Sequence, residues 1–184
     1  MAGKGFRTIS RKTGSFMKGP NSKKKSVKYG LKINPTLWLV LMAVICSCDR
    51  NRVFEENITL PNHQWDKTDV LVFNVAINDT VSPHNIYVNI RNGGQYQYSN
   101  LFLFIRTVSP SGHWIRDTIE CTLANEKGRW LGSGLGDIAA LQVPYKVNVR
   151  FPYTGLYSFE IEQAMRTDQL KHLFDIGLRV ERMK

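Results

Sequence analysis

Val70-Leu-Val-Phe-Asn-Val-Ala-Ile-Asn78 is the stretch of sequence that decides the fold. Its large apolar residues occupy every second position: Leu71, Phe73, Val75 and Ile77. Successive side chains of a β-strand point to opposite faces of the sheet, so this period of two predicts a strand with one buried face. The buried face of each such strand is expected to line the core of the domain.

The same alternation recurs on both sides of this stretch, between turns marked by glycine, proline, asparagine and aspartate. We predict strands at Val53–Leu60, Val70–Asn78, Asn85–Arg91, Leu101–Val108, Trp114–Leu123, Val143–Phe151, Gly155–Gln163 and Ile176–Glu181. About seven or eight short strands at this spacing predict a mostly β domain, an antiparallel β-sandwich of Ig-like or jelly-roll-like type. One or two short helical turns are expected where the alternation fails, at Asp137–Leu141 and Ala164–Phe174.

Charge is distributed unevenly along the 184-residue chain, which is long enough for one domain and a tail. Ten of the 25 basic residues precede Asp49, and no acidic residue does. The other 15 basic residues are balanced by 15 acidic ones, so the net charge of +10 belongs to the first 48 residues. A neutral domain lacks the basic face that phosphate contacts require, which argues against a nucleic-acid partner.

The basic N-terminal region is followed by a short apolar run, Leu37–Ile45, and then by Cys46-Ser47-Cys48. Such a run suits the hydrophobic part of an export signal, whereas a membrane-spanning helix needs about 20 apolar residues. The alternative is a buried segment of the domain, but nothing else in the first 47 residues can pack around it. Ile45-Cys46-Ser47-Cys48 resembles a bacterial lipobox, with small residues before the cysteine.

Cys48 is therefore the predicted lipid attachment point. Its thiol can take a diacylglyceryl group and its new amino group a further acyl chain, and two or more chains, at roughly 0.8 kcal/mol per buried methylene, anchor a protein durably. The predicted organisation is a removed signal peptide over residues 1–47 (with Met17 as an alternative start), a lipidated tether over residues 48–56 and a β-sandwich domain over residues 57–184. The lipid bilayer is then a partner, and no cofactor beyond the covalent lipid is expected.

Residue types that carry catalysis or bind metals occur in the chain without the spacing that such sites require. The histidines are far apart and are expected at the surface or in turns: His63, His84, His113 and His172. Cys121 is the one cysteine left after lipidation, so it is expected to be a small buried apolar residue. Gly132–Gly136 lacks the spacing of a nucleotide-binding loop, and Ser133 within it lacks the setting of a hydrolase nucleophile. We predict no catalytic residues, no metal and no small-molecule substrate.

Glu160 and Glu162 are the residues on which an alternative, enzymatic hypothesis would depend. They lie two apart in a predicted strand and so share one face. Solvated strand residues explain them equally well. An enzyme would need a pocket that brings these carboxylates together with a histidine.

Tyr96 and Tyr98 are the best candidates for exposed aromatic side chains, because they follow Gly93-Gly94 in a predicted loop. Exposed aromatic rings on a β-sandwich can stack on sugars or anchor a protein partner. They motivate an alternative function, a glycan-binding surface lipoprotein, which requires coplanar rings on one face. Most of the other aromatic residues are expected in the core.

Several segments of the chain resemble the gliding-motility lipoprotein GldH family of Bacteroidetes. The resemblance is carried by Cys48-Asp49, Trp65, Pro152-Tyr-Thr-Gly-Leu-Tyr-Ser-Phe-Glu-Ile-Glu-Gln-Ala-Met-Arg166, Leu170 and Asp175-Ile-Gly-Leu-Arg-Val-Glu181. It implies an envelope lipoprotein associated with the gliding motility and type IX secretion machinery, without enzymatic activity, whose partners are other envelope proteins. Only Cys48 transfers as a functional position.

The expected function is thus a non-enzymatic, membrane-anchored module that acts through protein–protein contacts in the cell envelope. The periplasmic side of the outer membrane is preferred over the inner membrane. If the source belongs to that phylum, Thr80 and Thr118 are candidate O-glycosylation sites, because Asp79-Thr80-Val81 and Asp117-Thr118-Ile119 resemble its acceptor pattern.

Overall fold

The computed structural model describes residues 50–134 and 136–183, which form ten β-strands and one short 3-10 turn at Pro61–His63. The strands are β1 (Arg52–Thr59), β2 (Gln64–Asp66), β3 (Leu71–Ile77), β4 (His84–Gly93), β5 (Asn100–Val108), β6 (Trp114–Thr122), β7 (Ile138–Val149), β8 (Gly155–Gln163), β9 (Gln169–Lys171) and β10 (Leu173–Arg182). The predicted signal peptide and Cys48 lie outside the described residues.

The first strand in the sequence pairs with the last, the second with the second to last, and so on toward the middle of the sequence. β1 pairs with β10, β2 with β9, β3 with β8, β4 with β7 and β5 with β6, all antiparallel. Two further pairings, β10 with β4 and β5 with β8, complete sheet 1 (β1-β10-β4-β7) and sheet 2 (β3-β8-β5-β6). The result is a long hairpin rolled into two sheets, which is a jelly roll. The predicted antiparallel β-sandwich is confirmed, and of its two forms the strand order matches the jelly roll.

The core lies between the two sheets and is filled by the inward positions of each strand. In β3 the buried and exposed positions alternate without exception, with Phe73, Val75 and Ile77 fully buried. The neighbouring strand of the same sheet, β8, contributes Phe159 and Ile161, which are also fully buried. Burying one such side chain contributes roughly 1.5–3 kcal/mol to folding, so this layer stabilises the domain substantially.

The short strands β2 and β9 close one end of the sandwich. Trp65 of β2 lies opposite Leu170 of β9, and both side chains are almost completely inaccessible. The indole Nε1 of Trp65 donates a hydrogen bond to the carbonyl oxygen of Asp69 at 3.0 Å. A buried tryptophan needs such a partner for its one polar group.

Both predicted helical turns are wrong, because tertiary pairing overrides local preference. Asp137–Leu141 contains two alanines and a leucine, but from Ile138 onward it forms the start of β7 and pairs with β4. Ala164–Phe174 contains β9 and the first residues of β10. β7 consequently begins five residues before the predicted Val143.

Because the strands are antiparallel, all connections lie at one of two ends of the sandwich. We call one of them the tether end; it comprises residues 50 and 51, the loops 78–83, 109–113 and 150–154, and Met183. Backbone and side-chain hydrogen bonds hold these segments together: Arg182 N to Asn51 O, Met183 N to Pro83 O and Arg150 Nε to Val81 O. The chain therefore enters the domain beside three loops and the C-terminus.

Candidate functional site

A largely apolar pocket opens at the tether end, between β6 of sheet 2 and β7 of sheet 1. Its volume is about 480 Å³. The inner wall is formed by apolar and aromatic side chains of both sheets: Ile86, Val149, Phe151, Tyr157 and Phe159. Polar and cationic side chains also line the pocket: Thr107, Ser109, His113, Tyr145, Lys146 and Arg150. A cavity of this size and composition can hold a small apolar group.

Asp117 joins the two edge strands beside this pocket. Its carboxylate accepts a hydrogen bond from the Tyr145 hydroxyl at 2.6 Å and lies 2.9 Å from Lys146 Nζ. The hydrogen bond from Tyr145, together with the Lys146 charge, lowers the pKa of Asp117, and burial raises the pKa of Tyr145. These polar groups bind each other, so they stabilise the contact between β6 and β7.

The outer face of sheet 2 carries a ladder of ion pairs, and we call it the ladder face. Arg106 pairs with Glu160 at 2.9 Å and Arg116 with Glu162 at 3.1 Å. Both glutamates share one face, as predicted, but each is bound by an arginine and points away from the pocket. The arrangement that an enzyme would need at Glu160 and Glu162 is therefore contradicted by the structure.

Aromatic and apolar side chains surround these ion pairs on the ladder face. The guanidinium of Arg106 lies 5.1 Å from the Trp114 ring centroid, and that of Arg116 lies 4.3 Å from the Phe104 centroid. Trp114 is 54% exposed, and Val72 and Leu156 are also well exposed. Stacked arginine and exposed aromatic residues are typical of surfaces that bind other proteins. This face could not be predicted from the sequence, because it depends on the register of four strands.

Tyr96 was predicted to be exposed, and this prediction is wrong. Its ring is buried beside Trp130 and Tyr98, and its hydroxyl donates a hydrogen bond to the carbonyl oxygen of Asn100 at 3.3 Å. The loop folds inward because Tyr96 N bonds to Gly93 O. Tyr98 is partly exposed, as predicted, but the two rings are inclined by 67°. Coplanar rings for stacking on a sugar are absent from this pair.

The two candidate O-glycosylation sites differ in their surroundings, and modification of either stays a prediction. Thr80 lies at the tether end in the loop after β3, and is half-buried. The Asp79 carboxylate beside it accepts hydrogen bonds from the Val81 and Ser82 amides, which lower the pKa of Asp79 to about 2. Thr118 is exposed on the ladder face, within β6.

His84 was expected at the surface and is instead buried, so this prediction is wrong. It occupies the first inward position of β4, and its ring packs edge-on against Phe151 at 5.2 Å. Nδ1 has no hydrogen-bond partner among the described residues, and burial lowers the pKa of His84. The alternation of Ile86, Val88 and Ile90 after it is the signal that places this histidine inward. His63 and His113 are exposed, and His172 is half-buried.

Cys121 is fully buried, as predicted, and burial raises the pKa of its thiol to about 12. At that pKa the thiol stays protonated and unreactive. Within residues 50–134 and 136–183 no cluster of histidine, cysteine or acidic side chains is suited to hold a metal ion.

The described part of the glycine-rich segment 132–136 is partly fixed to β7. The backbone of Ser133 is paired with that of Ala140 through two hydrogen bonds, so its place is structural. A Cβ at Gly134 would overlap the carbonyl oxygen of Ile138. Glycine is therefore required here by the close approach of β7.

None of the helices in the part of the chain that the structure describes is long and apolar enough to cross a membrane. Comparison with solved structures gives a weak likeness to the structure of infectious bursal disease virus Gx strain. That match has 13% sequence identity and a TM-score of 0.30, and covers 70% of this chain and 31% of the other. At this TM-score it carries no argument about fold or function.

Comparison with known sequences is informative. Residues 52–180 match the model of the GldH lipoprotein family. The chain is 34% identical over 153 residues to a gliding motility lipoprotein GldH homolog of Christiangramia forsetii, covering 79% of this chain and 93% of that protein. It is 33% identical over 155 residues to the gliding motility lipoprotein GldH of Flavobacterium johnsoniae, covering 80% and 96%. These matches confirm the resemblance seen in the sequence: the chain belongs to the GldH lipoprotein family, a family of gliding motility lipoproteins and not of enzymes.

Proposed function

We propose that this lipoprotein is a component of the gliding motility and type IX secretion machinery that acts through protein–protein contacts. Lipidated Cys48 anchors it, preferably on the periplasmic side of the outer membrane. Its family membership supports the association with motility. The observation that carries the contact role is the ladder face, where exposed Trp114 and Val72 flank two arginine–glutamate pairs.

The chemistry of the ladder face suits a protein partner. The arginines lie over Trp114 and Phe104 and are each paired with a glutamate, so little side-chain entropy is lost when a partner covers them. A cation over an aromatic ring contributes about 0.5–1 kcal/mol when exposed and about 2 kcal/mol when solvent is removed. Covering the face therefore strengthens contacts that already exist in the free protein.

Site-specific photo-crosslinking in a gliding host tests this function. A photoreactive amino acid replaces Val72 on the ladder face, and the matched control replaces Gln142, which is exposed on the outer face of sheet 1. Crosslinks from position 72 to motility or secretion proteins, with none from position 142, are expected. Gliding and secretion that are unaffected by deletion of the gene would contradict the proposal, as would equal crosslinking from both positions.

Glycan binding is the second candidate function. The candidate binding site for a glycan is the outer face of sheet 1 and no longer the loop that contains Tyr98. There Asn89 accepts a hydrogen bond from Gln142 and donates to Glu55 and Asn57, around a shallow site of about 520 Å³. Planar amides and carboxylates of this kind suit sugar hydroxyls. Binding of envelope polysaccharide that is lost in Asn89→Ala would support it, and no measurable binding to the wild-type protein would exclude it.

A further inference from the structure

We propose that the tether end of the sandwich lies directly on the lipid bilayer, with Val81, Val147 and Tyr153 placed among the lipid headgroups. This inference rests on the anchor at Cys48 in the proposed function. It adds to that anchor an orientation of the domain and a second, non-covalent contact with lipid.

The length of the tether sets the first constraint, because residues 52–56 of the predicted tether belong to β1. Arg50, the first described residue, is two positions after Cys48. Two extended residues span at most about 7 Å, which is close to the thickness of one headgroup layer. The hydrogen bond from Arg182 N to Asn51 O fixes the next residue to the tether end of β10. A domain held this closely touches the headgroups with the end from which its tether leaves.

The distribution of exposed apolar side chains points the same way. Eleven large apolar side chains are well exposed among the described residues. Four of them lie toward the other end of the sandwich: Val70, Val72, Tyr98 and Leu131. The remaining seven lie in the loops of the tether end, at Met183 or at the ends of strands that meet there, and two of these seven, Trp114 and Leu156, are on the ladder face. The apolar surface of the domain is therefore concentrated where the anchor is attached.

Val81 is the clearest case, because its side chain is 80% exposed and its backbone is held by hydrogen bonds. The Asp79 carboxylate accepts hydrogen bonds from the Val81 and Ser82 amides, each at 2.9 Å. The Val81 carbonyl oxygen accepts one from Arg150 Nε at 3.0 Å. Both polar groups of the Val81 backbone are satisfied inside the protein, so the isopropyl group can enter the headgroup layer without exposing an unpaired backbone group.

Tyr153 and Val147 extend this surface beside the pocket. Tyr153 is 52% exposed in the loop after β7, and Val147 is 60% exposed near the end of β7. Tyrosine is enriched at membrane–water interfaces, since its ring is apolar and its hydroxyl reaches water. Tyr153 lines the 480 Å³ cavity, as does Lys146, the neighbour of Val147 in β7, so the apolar wall of the cavity then faces the lipid.

The charge of the tether end fits a surface of lipid phosphates. Arg50, Lys146, Arg150 and Arg182 lie at or near it. Three acidic residues oppose them: Asp49, which precedes Arg50 in the sequence, Asp79 beside Arg182 and Asp117 beside Lys146. One cation therefore remains in excess, and one basic residue near an anionic membrane surface contributes about 1 kcal/mol of attraction.

The test uses the lipidated full-length mature protein in vesicles of phosphatidylethanolamine and phosphatidylglycerol. An environment-sensitive fluorophore is attached to Val147→Cys at the tether end, or to Lys127→Cys in the loop after β6 as the matched control. Cys121 is buried and Cys48 carries lipid, so neither takes the label. Quenching by nitroxide-bearing lipids is expected at position 147 and not at position 127. Adding Val81→Asp and Tyr153→Ser is expected to reduce the quenching at least twofold.

Four outcomes overturn the proposal. Equal, weak quenching at both positions, with the protein still floating with the vesicles, would show a correct anchor but a wrong orientation. Failure to float would remove the anchor itself, and the proposed function with it. In cells, crosslinks from position 147 to a protein instead of to lipid, or a glycan found on Thr80, would show that the tether end serves another partner.

Discussion

Phe73 and Val72 are neighbours on β3 whose side chains point to opposite sides of sheet 2. Phe73 is fully buried and Val72 is 45% exposed. We expect Phe73→Ala to lower the free energy of unfolding by about 3–5 kcal/mol, because it removes an aromatic ring from the core and leaves a cavity. Val72→Ala is expected to change it by less than about 0.5 kcal/mol. Urea denaturation of both variants checks this, and equal losses would contradict the assigned orientation of β3.

His84 makes the stability of the domain depend on pH. Burial is the main cause that lowers its pKa below 6.5; Arg182 acts in the same direction, and Asp79 opposes it. The unfolded chain therefore binds a proton more readily than the native one, so the free energy of unfolding falls as the pH drops below 6.5. His84→Phe keeps the edge contact with Phe151 and removes the titrating group.

The measurement is the midpoint of urea unfolding from about pH 7.5 to about pH 5.5, the range in which histidine titrates. Wild-type protein is expected to lose stability on acidification more steeply than His84→Phe. Parallel pH profiles for the two proteins would show that His84 doesn't contribute.

Among the elements, the pairing of β1 with β10 depends on Gly177. A Cβ at this position would come within 2.7 Å of the Glu56 carbonyl oxygen and would also overlap the Asn57 side chain. Gly177→Ala is therefore expected to separate the two strands locally and to cost about 1–3 kcal/mol, as overpacking generally does.

Hydrogen exchange of the β1 amides provides the readout for this prediction. We expect faster exchange in β1 of Gly177→Ala and an unchanged rate in β5, which is not in contact with it. Asn57→Ala is the control, since it removes a side chain from the same place without inserting an atom. If Asn57→Ala destabilises as much as Gly177→Ala, the steric account is wrong.

The strands that could be predicted from the sequence are those whose own residues carry the pattern. Gly155–Gln163 was predicted with the correct bounds, since Tyr157, Phe159 and Ile161 alternate with polar residues. The start of β7 could not be predicted, because Ile138-Ala-Ala-Leu141 gains its extended form only by pairing with Ile90 and Asn92 of β4. The strands β2 and β9 were missed because three residues are too few to show a period.

At the scale of the whole molecule, the place where the chain enters the domain is fixed by strand pairing between residues that are distant in sequence, such as Arg52 with Glu181. A sequence pattern shows which face of a strand is buried, but not which strand lies beside it. The ladder face brings Arg106 next to Glu160 through the pairing of β5 with β8, and the tether end brings Arg150 next to Val81. Both surfaces therefore became visible only with the register, whereas the prediction of a lipobox at Cys48 depends on adjacent residues alone.

The central claim is that Cys48 carries the lipid that places this domain at a membrane. It is tested most directly by growing cells with a clickable fatty acid and comparing the wild-type protein with Cys48→Ala and, as the matched control, Cys121→Ala. We expect fatty-acid label and membrane association in the wild type and in Cys121→Ala, and neither in Cys48→Ala. Unlabelled wild-type protein, or label that persists in Cys48→Ala, would contradict the account.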